Sequence, residues 1–213
     1  MPVYLDHAAT TRICPQAVEA ALEVMTKGYG NPSSRYALGQ AAAQRLEEDR
    51  AAVAQRLGCL PEELYFTSGG TEGDNWAFRA ALEYGKRRGR HIVTSAIEHS
   101  AVLEQTKVLA ARGYEVTLLK PERSGRIDPE KLSAALRPDT VLVSLMLVNN
   151  ELGTVQPVGE AAQAIRRSGC PALLHTDAVQ GFLKIPFTPG ELGVDLLSVS
   201  GHKIHGPKGI GGQ

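Results

Sequence analysis

Cysteine is scarce in this 213-residue chain, and its three copies, Cys14, Cys59 and Cys170, are odd in number and far apart. No C-x-x-C pair occurs, which argues against a disulfide framework and for a reducing compartment, the cytoplasm. An excess of either charge is also missing, because 23 Lys and Arg are balanced by 23 Asp and Glu. That balance gives no broad basic field for nucleic acid or anionic lipid, so any contact with an anion must come from a local site. No apolar run approaches membrane-spanning length, and Met1-Pro2-Val3-Tyr4-Leu5-Asp6 lacks the basic and apolar regions of a signal peptide. Neither a nucleic-acid partner nor a membrane is expected. Internal repeats, low-complexity tracts and an obvious inter-domain linker are absent too.

What remains is ordinary: 43% apolar and 22% charged residues, in a chain long enough to bury a sizeable core. Pro15 to Lys27 reads as a helix with Val18, Leu22 and Met25 on one face and Gly28 closing it. After the turn-rich Gly30-Asn31-Pro32-Ser33-Ser34, Ser34 or a neighbour is expected to cap a long helix running to Leu57 and ended by Gly58. Short apolar strands follow at Leu64 to Thr67, His91 to Ser95, Glu115 to Leu119, Thr140 to Leu147, Ala172 to His175 and Val194 to Val199. Helices lie between most of them, one opened by Asp128-Pro129-Glu130. This alternation predicts an α/β fold of three layers, with a mostly parallel central sheet and helices on both faces. Ligands of such sheets sit beyond the carboxyl ends of the strands.

The residues that could carry chemistry fall at those ends. Ser200-Gly201-His202-Lys203 closes the strand Val194 to Val199, and His175-Thr176-Asp177-Ala178-Val179-Gln180 closes the one before it. A lysine and a carboxylate from successive strand ends suit pyridoxal phosphate. The amine holds the cofactor as a Schiff base, and the carboxylate keeps the pyridine nitrogen protonated. Taken singly, Lys203 would be a loop lysine and Asp177 a helix cap. Thr67-Ser68-Gly69-Gly70-Thr71-Glu72 joins a strand to a helix, where free N–H groups and the Thr71 hydroxyl would cradle a phosphate, unless the glycines serve only the turn. His99 could stack on a flat cofactor and move protons, or simply cap a helix. Asn149 could touch a ligand or start a turn.

Together these motifs resemble the class V aminotransferase superfamily, and within it the cysteine desulfurases. The resemblance runs from Tyr4-Leu5-Asp6-His7-Ala8-Ala9-Thr10-Thr11 through Gly30-Asn31-Pro32-Ser33-Ser34, Phe66 to Gly73, Glu98-His99 and Val148 to Pro157, to the aspartate and lysine motifs. It implies the large domain of the aminotransferase type I fold over residues 16–213, with residues 1–15 as an arm contributing to the active site. By the same resemblance Lys203 carries pyridoxal 5'-phosphate, Asp177 pairs with the ring nitrogen and Gln180 meets the ring hydroxyl. His99 stacks and transfers protons. Gly70, Thr71, Ser200 and His202 hold the phosphate, Asn149 lies near ring and substrate, and Ala8 and Ala9 line the substrate pocket. No metal is implied. The implied reaction takes sulfur from L-cysteine, leaving alanine and an enzyme persulfide for sulfur-acceptor or scaffold proteins of iron–sulfur cluster assembly and related pathways, in a homodimer.

In that family the chain continues well past the lysine motif, into a small C-terminal domain that carries the nucleophilic cysteine and a substrate-binding arginine. None of Cys14, Cys59 or Cys170 matches the nucleophile's position, so these 213 residues are expected to be inactive alone. The strand after the lysine motif would run antiparallel between two strands already present. Stopping at Gln213 is expected to leave both neighbours unpaired and prone to association. A selenocysteine lyase, a small-amino-acid aminotransferase and a non-catalytic cofactor-binding remnant are the other readings compatible with the residues.

Overall fold

Seven strands form one sheet in the order β1-β7-β6-β5-β4-β2-β3. This computed structural model describes residues 3–213. The strands are β1 (Phe66–Thr67), β2 (His91–Ser95), β3 (Glu115–Leu119), β4 (Thr140–Ser144), β5 (Leu173–Asp177), β6 (Leu196–Ser200) and β7 (Gly211–Gly212). From β3 to β6 every neighbouring pair is parallel; β7 alone runs antiparallel to both its neighbours. The helices are α1 (Pro15–Thr26), α2 (Ala37–Leu57), α3 (Gly70–Gly85), α4 (Ser100–Ala111), α5 (Pro129–Ala135), α6 (Val158–Ser168) and the short α7 (Pro189–Leu192).

The apolar pattern explains the three layers. Strands β2 and β4 are buried along their whole length, as strands of a parallel sheet covered on both sides are. On one face Phe78 and Ala81 of α3 and Val102 and Leu109 of α4 pack with Ile92 and Leu142. On the other, Ala54 and Leu57 of α2, Leu132 of α5 and Ala161 and Ile165 of α6 pack with Val93, Val143 and Leu174. Alternate residues of one strand thus feed two cores. The mostly parallel α/β fold expected from the sequence is the fold observed.

Several boundaries move. Helix α2 starts at Ala37 with Tyr36 at its cap and no side-chain cap bond, so Ser34 does not serve there. Its end is as expected, with Gly58 left-handed at φ 76°. Strand β4 stops at Ser144 rather than Leu147, although Leu145 and Leu147 still donate to His175 and Asp177 carbonyls of β5. In α1 the expected apolar face exists but is bare: Val18, Leu22 and Met25 are 45%, 59% and 76% exposed.

The expectation of two unpaired strands is corrected. Gly211 and Gly212 already lie between β1 and β6, pairing with Thr67 and Phe66 on one side and Ser200 and Val199 on the other. Gln213 extends the ladder by exchanging backbone hydrogen bonds with Tyr65 at 2.8 and 2.9 Å. Only glycine permits so close an entry. A Cβ on Gly211 would lie 2.5 Å from the Val199 carbonyl oxygen and 2.8 Å from the Gly69 Cα, both backbone atoms. Gly211→Ala is therefore expected to cost roughly 1–3 kcal/mol, as overpacking does. Urea unfolding of the variant beside wild type measures it, and an unchanged midpoint would mean that β7 has room to shift.

Candidate active site

The carboxyl ends of β5 and β6, the β1–α3 turn and the N-terminal segment enclose a cavity of about 450 Å³. Its position follows from topology, since the strand order reverses between β4 and β2 and parallel strands direct their following loops to one side. Lys203 and Asp177 both line it, Asp177 as the last residue of β5 and Lys203 three residues after β6 ends.

Lys203 sits in a single 3₁₀ turn after β6. Its Nζ donates to the carbonyls of Ala8 and Ala9 at 2.7 and 2.8 Å. The N-terminal segment is pinned there by Thr11, whose N–H and hydroxyl donate to the His202 carbonyl at 2.8 and 2.9 Å. Burial holds the Lys203 amine below its ordinary range, against the pull of Asp177 and Asp6. Asp177 is buried at the end of β5, and one carboxylate oxygen accepts from the Val179 N–H at 2.9 Å. Burial raises its proton affinity, and only in part do the Val179 N–H, His99 and Lys203 offset that.

Across the cavity, α3 begins at Gly70 and Thr71, with its first N–H groups free of helical partners. A Cβ on Gly70 would meet Val179 Cγ2 at 2.7 Å, so the turn can approach this closely only as glycine. The first-turn carboxylate of Glu72 bends back to accept from the Ser68 N–H at 2.6 Å. Ser200 and His202 complete this corner. His202 Nδ1 lies 3.0 Å from the Thr10 hydroxyl, and burial followed by Lys203 and Lys208 keeps the ring below its ordinary pKa.

His99 lines the cavity and also caps α4, its Nδ1 accepting from the Ala101 N–H at 3.2 Å. The two roles open in the sequence are compatible in one side chain. Gln180 and both alanines line the wall as well. Asn149 is the one candidate that the fold does not bring to it; Asn150 and Glu151 stand there instead. The Asn149 amide donates to the Ile97 carbonyl and the Met146 sulfur, and accepts from the N–H groups of Glu151 and Leu152. With its donors and acceptors engaged, it builds the turn.

Two buried acids, Asp74 in the cavity wall and Glu98, were given no role from the sequence. Asp74 of α3 is 1% exposed, and its Oδ1 has no hydrogen-bond partner among the described residues. Burial, then Asp177, pushes its pKa well up. The neighbouring His175 is driven down to about 3 by burial, its ring nitrogens instead 2.9 and 3.1 Å from the Ser144 and Ser198 hydroxyls. With His175 neutral, the 3.6 Å approach of Asp74 to its ring is no ion pair. Glu98 accepts from the Ser95 hydroxyl and the Met146 N–H at 2.6 and 3.0 Å, and burial pushes it up to about 8. The one clue to Asp74 was spacing: four residues after Gly70 on α3, it shares the helix face that meets the cavity.

The fold and this cavity define a family. The chain belongs to the aminotransferase class V family, whose model matches residues 3–212. It is 46% identical over 212 residues to a protein named cysteine desulfurase IscS from Anaeromyxobacter dehalogenans, covering 99% of this chain and 52% of that one. The protein of the same name from Methanosarcina thermophila is 44% identical over 209 residues, covering 98% and 51%. The chain thus spans about half the length of the curated relatives it matches. Among solved structures, a NifS-like protein superposes with a TM-score of 0.96 at 41% identity over 100% of this chain and 58% of its own. A structure described as SspA in complex with cysteine gives 0.93 at 36%, over 99% and 60%.

Proposed function

We propose that residues 1–213 form the pyridoxal phosphate-binding part of a cysteine desulfurase that takes sulfur from L-cysteine. The carrying observation is the meeting, in one cavity, of a burial-weakened amine, a buried carboxyl and a helix start rich in N–H donors. The residues fit the cofactor. The Gly70-Thr71 turn, Ser200 and His202 supply donors for a phosphate, and Asp177 has one oxygen bound to Val179 and the other free for a ring nitrogen. The names of the relatives and the cysteine-bound neighbour support the choice of substrate.

Bound pyridoxal phosphate supplies an electron sink for charge developing at the substrate's α-carbon. The chain's own groups do the rest. Lys203, whose amine burial holds below its ordinary range, would be the covalent anchor and the base that moves the α-proton. Its Nζ is held by the Ala8 and Ala9 carbonyls and would have to leave them to act. Asp177 would hold a proton at the ring nitrogen, and His99, on the cavity wall, would stack on the ring. A thiolate attacks the substrate sulfur, the C–S bond breaks as the S–S bond forms, and the carbon takes a proton to become alanine. No outside oxidant is needed. Among the described residues no cysteine lines the cavity, and burial together with Glu63 raises the Cys59 thiol. The sulfur-accepting thiol therefore comes from outside residues 1–213. A homodimer, delivery of sulfur to acceptor proteins and a cytoplasmic setting belong to the same proposal.

Incubation with pyridoxal phosphate followed by borohydride reduction and peptide mapping tests the anchor. The label is expected on Lys203; finding it on Lys184 or Lys208, or nowhere, would overturn the assignment. Substrate choice is read on the whole protein, which should form persulfide and alanine from L-cysteine, whereas an aminotransferase would form no persulfide.

A further inference from the structure

We propose that Lys184 is a positioning residue of this site, fixing the Gln180 amide so that its nitrogen end, not its oxygen, is presented to the cavity. The inference rests on the functional reading above, in which Gln180 meets the ring hydroxyl oxygen. Lys184 Nζ lies 2.6 Å from Gln180 Oε1. An ammonium only donates, so the atom it faces must be the carbonyl oxygen of the amide. The other end follows without choice: Gln180 Nε2 donates to the Ala8 carbonyl at 2.7 Å. Lys203 Nζ donates to that same carbonyl at 2.7 Å. A continuous chain of donors, Lys184 to Gln180 to Ala8, thus ends at the atom that restrains the reactive amine.

The backbone beside this contact is bent. Leu183, directly before Lys184, is left-handed at φ 57°, a conformation that disfavours a non-glycine residue. The Leu183 side chain is 59% exposed, so burial of leucine does not explain the bend. The turn is closed by Lys184 and Ile185 N–H groups donating to the Gly181 carbonyl, each at 3.0 Å. It returns the Lys184 amine to a glutamine four residues back, although no helix runs between them.

Two consequences follow for the cofactor. A donor fixed toward the cavity favours an ionised ring oxygen, which an amide turned the other way would face with its own oxygen. A second cation near Lys203 also disfavours a charge there. Lys184 is itself lowered by burial and by Lys203, while Asp177 from β5 and Asp6 from the N-terminal segment act on Lys203 in the opposite sense. His202, His99, Asp74 and Glu151 are the other titratable groups that line the cavity.

The test uses Lys184→Met, which removes the donor, and Lys184→Arg, which restores one. In the cofactor-free protein the Gln180 side-chain amide, assigned by its loss in Gln180→Ala, is followed in ¹H–¹⁵N spectra. Wild type and Lys184→Arg should show a shifted, exchange-protected NH₂ pair, and Lys184→Met a pair with solvent-like shifts. An unchanged pair in Lys184→Met would overturn the proposal. Pyridoxal phosphate affinity is the second readout. It should fall about tenfold in Lys184→Met, the worth of one hydrogen bond, and recover to within about threefold in Lys184→Arg. Adding Gln180→Ala to Lys184→Met should cause little further loss; fully additive losses would also sink the idea. If wild type binds no pyridoxal phosphate, the functional reading fails, and the amide spectra still decide the role of Lys184.

Discussion

Asp177→Asn is expected to slow L-cysteine turnover by the whole protein about 10²- to 10⁴-fold while leaving the fold intact. Asparagine is isosteric, and its carbonyl can still accept from the Val179 N–H that now binds Asp177 at 2.9 Å. What it cannot do is carry a negative charge beside a protonated ring nitrogen. Breaking a buried charge pair by neutralising one partner costs about 3–5 kcal/mol. Expressed as a rate, that energy is the stated range. The loss should fall on kcat more than on KM, because the substrate's own contacts are untouched. Stability should move the other way. Burial raises the Asp177 carboxyl, so above its unfolded pKa the ligand-free fold must either bind a proton or bury a charge. A neutral amide avoids both, and the cofactor-free variant should be at least as stable as wild type at pH 8 in urea unfolding. Turnover within threefold of wild type would remove Asp177 from the mechanism.

The opposed effects show why some of this site was legible in the sequence and some was not. Lys203 and Asp177 stand in runs whose apolar strands announce themselves, and their place at the strand ends follows from the alternation of strands and helices. Strand β7 could not be read that way. Two glycines have no strand preference, and they pair because β1 and β6 leave a slot of one strand's width. Helix α1 shows the reverse failure: its period predicted the helix, but a period says nothing about what covers the apolar face, and Leu22 stays 59% exposed. Asn149 fitted a ligand contact and a turn equally well, and only the fold shows that its amide accepts from the N–H groups of Glu151 and Leu152. Asp74, Glu98 and Lys184 carry ordinary surface side chains. Only tertiary packing reveals that two of them are buried and that the third points at Gln180.

Glu98→Gln should flatten the dependence of stability on pH and reverse sign across it. In the folded, cofactor-free chain burial pushes Glu98 from its ordinary 4.5 to about 8. Between those values the fold holds a proton that the unfolded chain has released, so wild-type stability falls as pH rises from about 4.5 to 8 and levels off above. Glutamine is neutral throughout and contributes no such slope. Its carbonyl can keep the bonds from the Ser95 hydroxyl and the Met146 N–H. Its NH₂, however, replaces Oε2, which has no partner among the described residues, and an orphaned buried donor costs about 1–3 kcal/mol. Near pH 5 only that cost operates, and the variant should be the less stable protein. At pH 8 the relief from ionising a buried acid exceeds it, at about 1.4 kcal/mol per pKa unit, and the variant should be more stable by roughly 1–3 kcal/mol. Urea unfolding at pH 5, 6, 7 and 8 would trace two crossing curves. Parallel curves would mean that Glu98 titrates near its ordinary value and that water reaches its carboxyl. Because Asp74 and Asp177 are raised as well, some slope should survive in the variant, and Asp74→Asn in the same background should remove more of it.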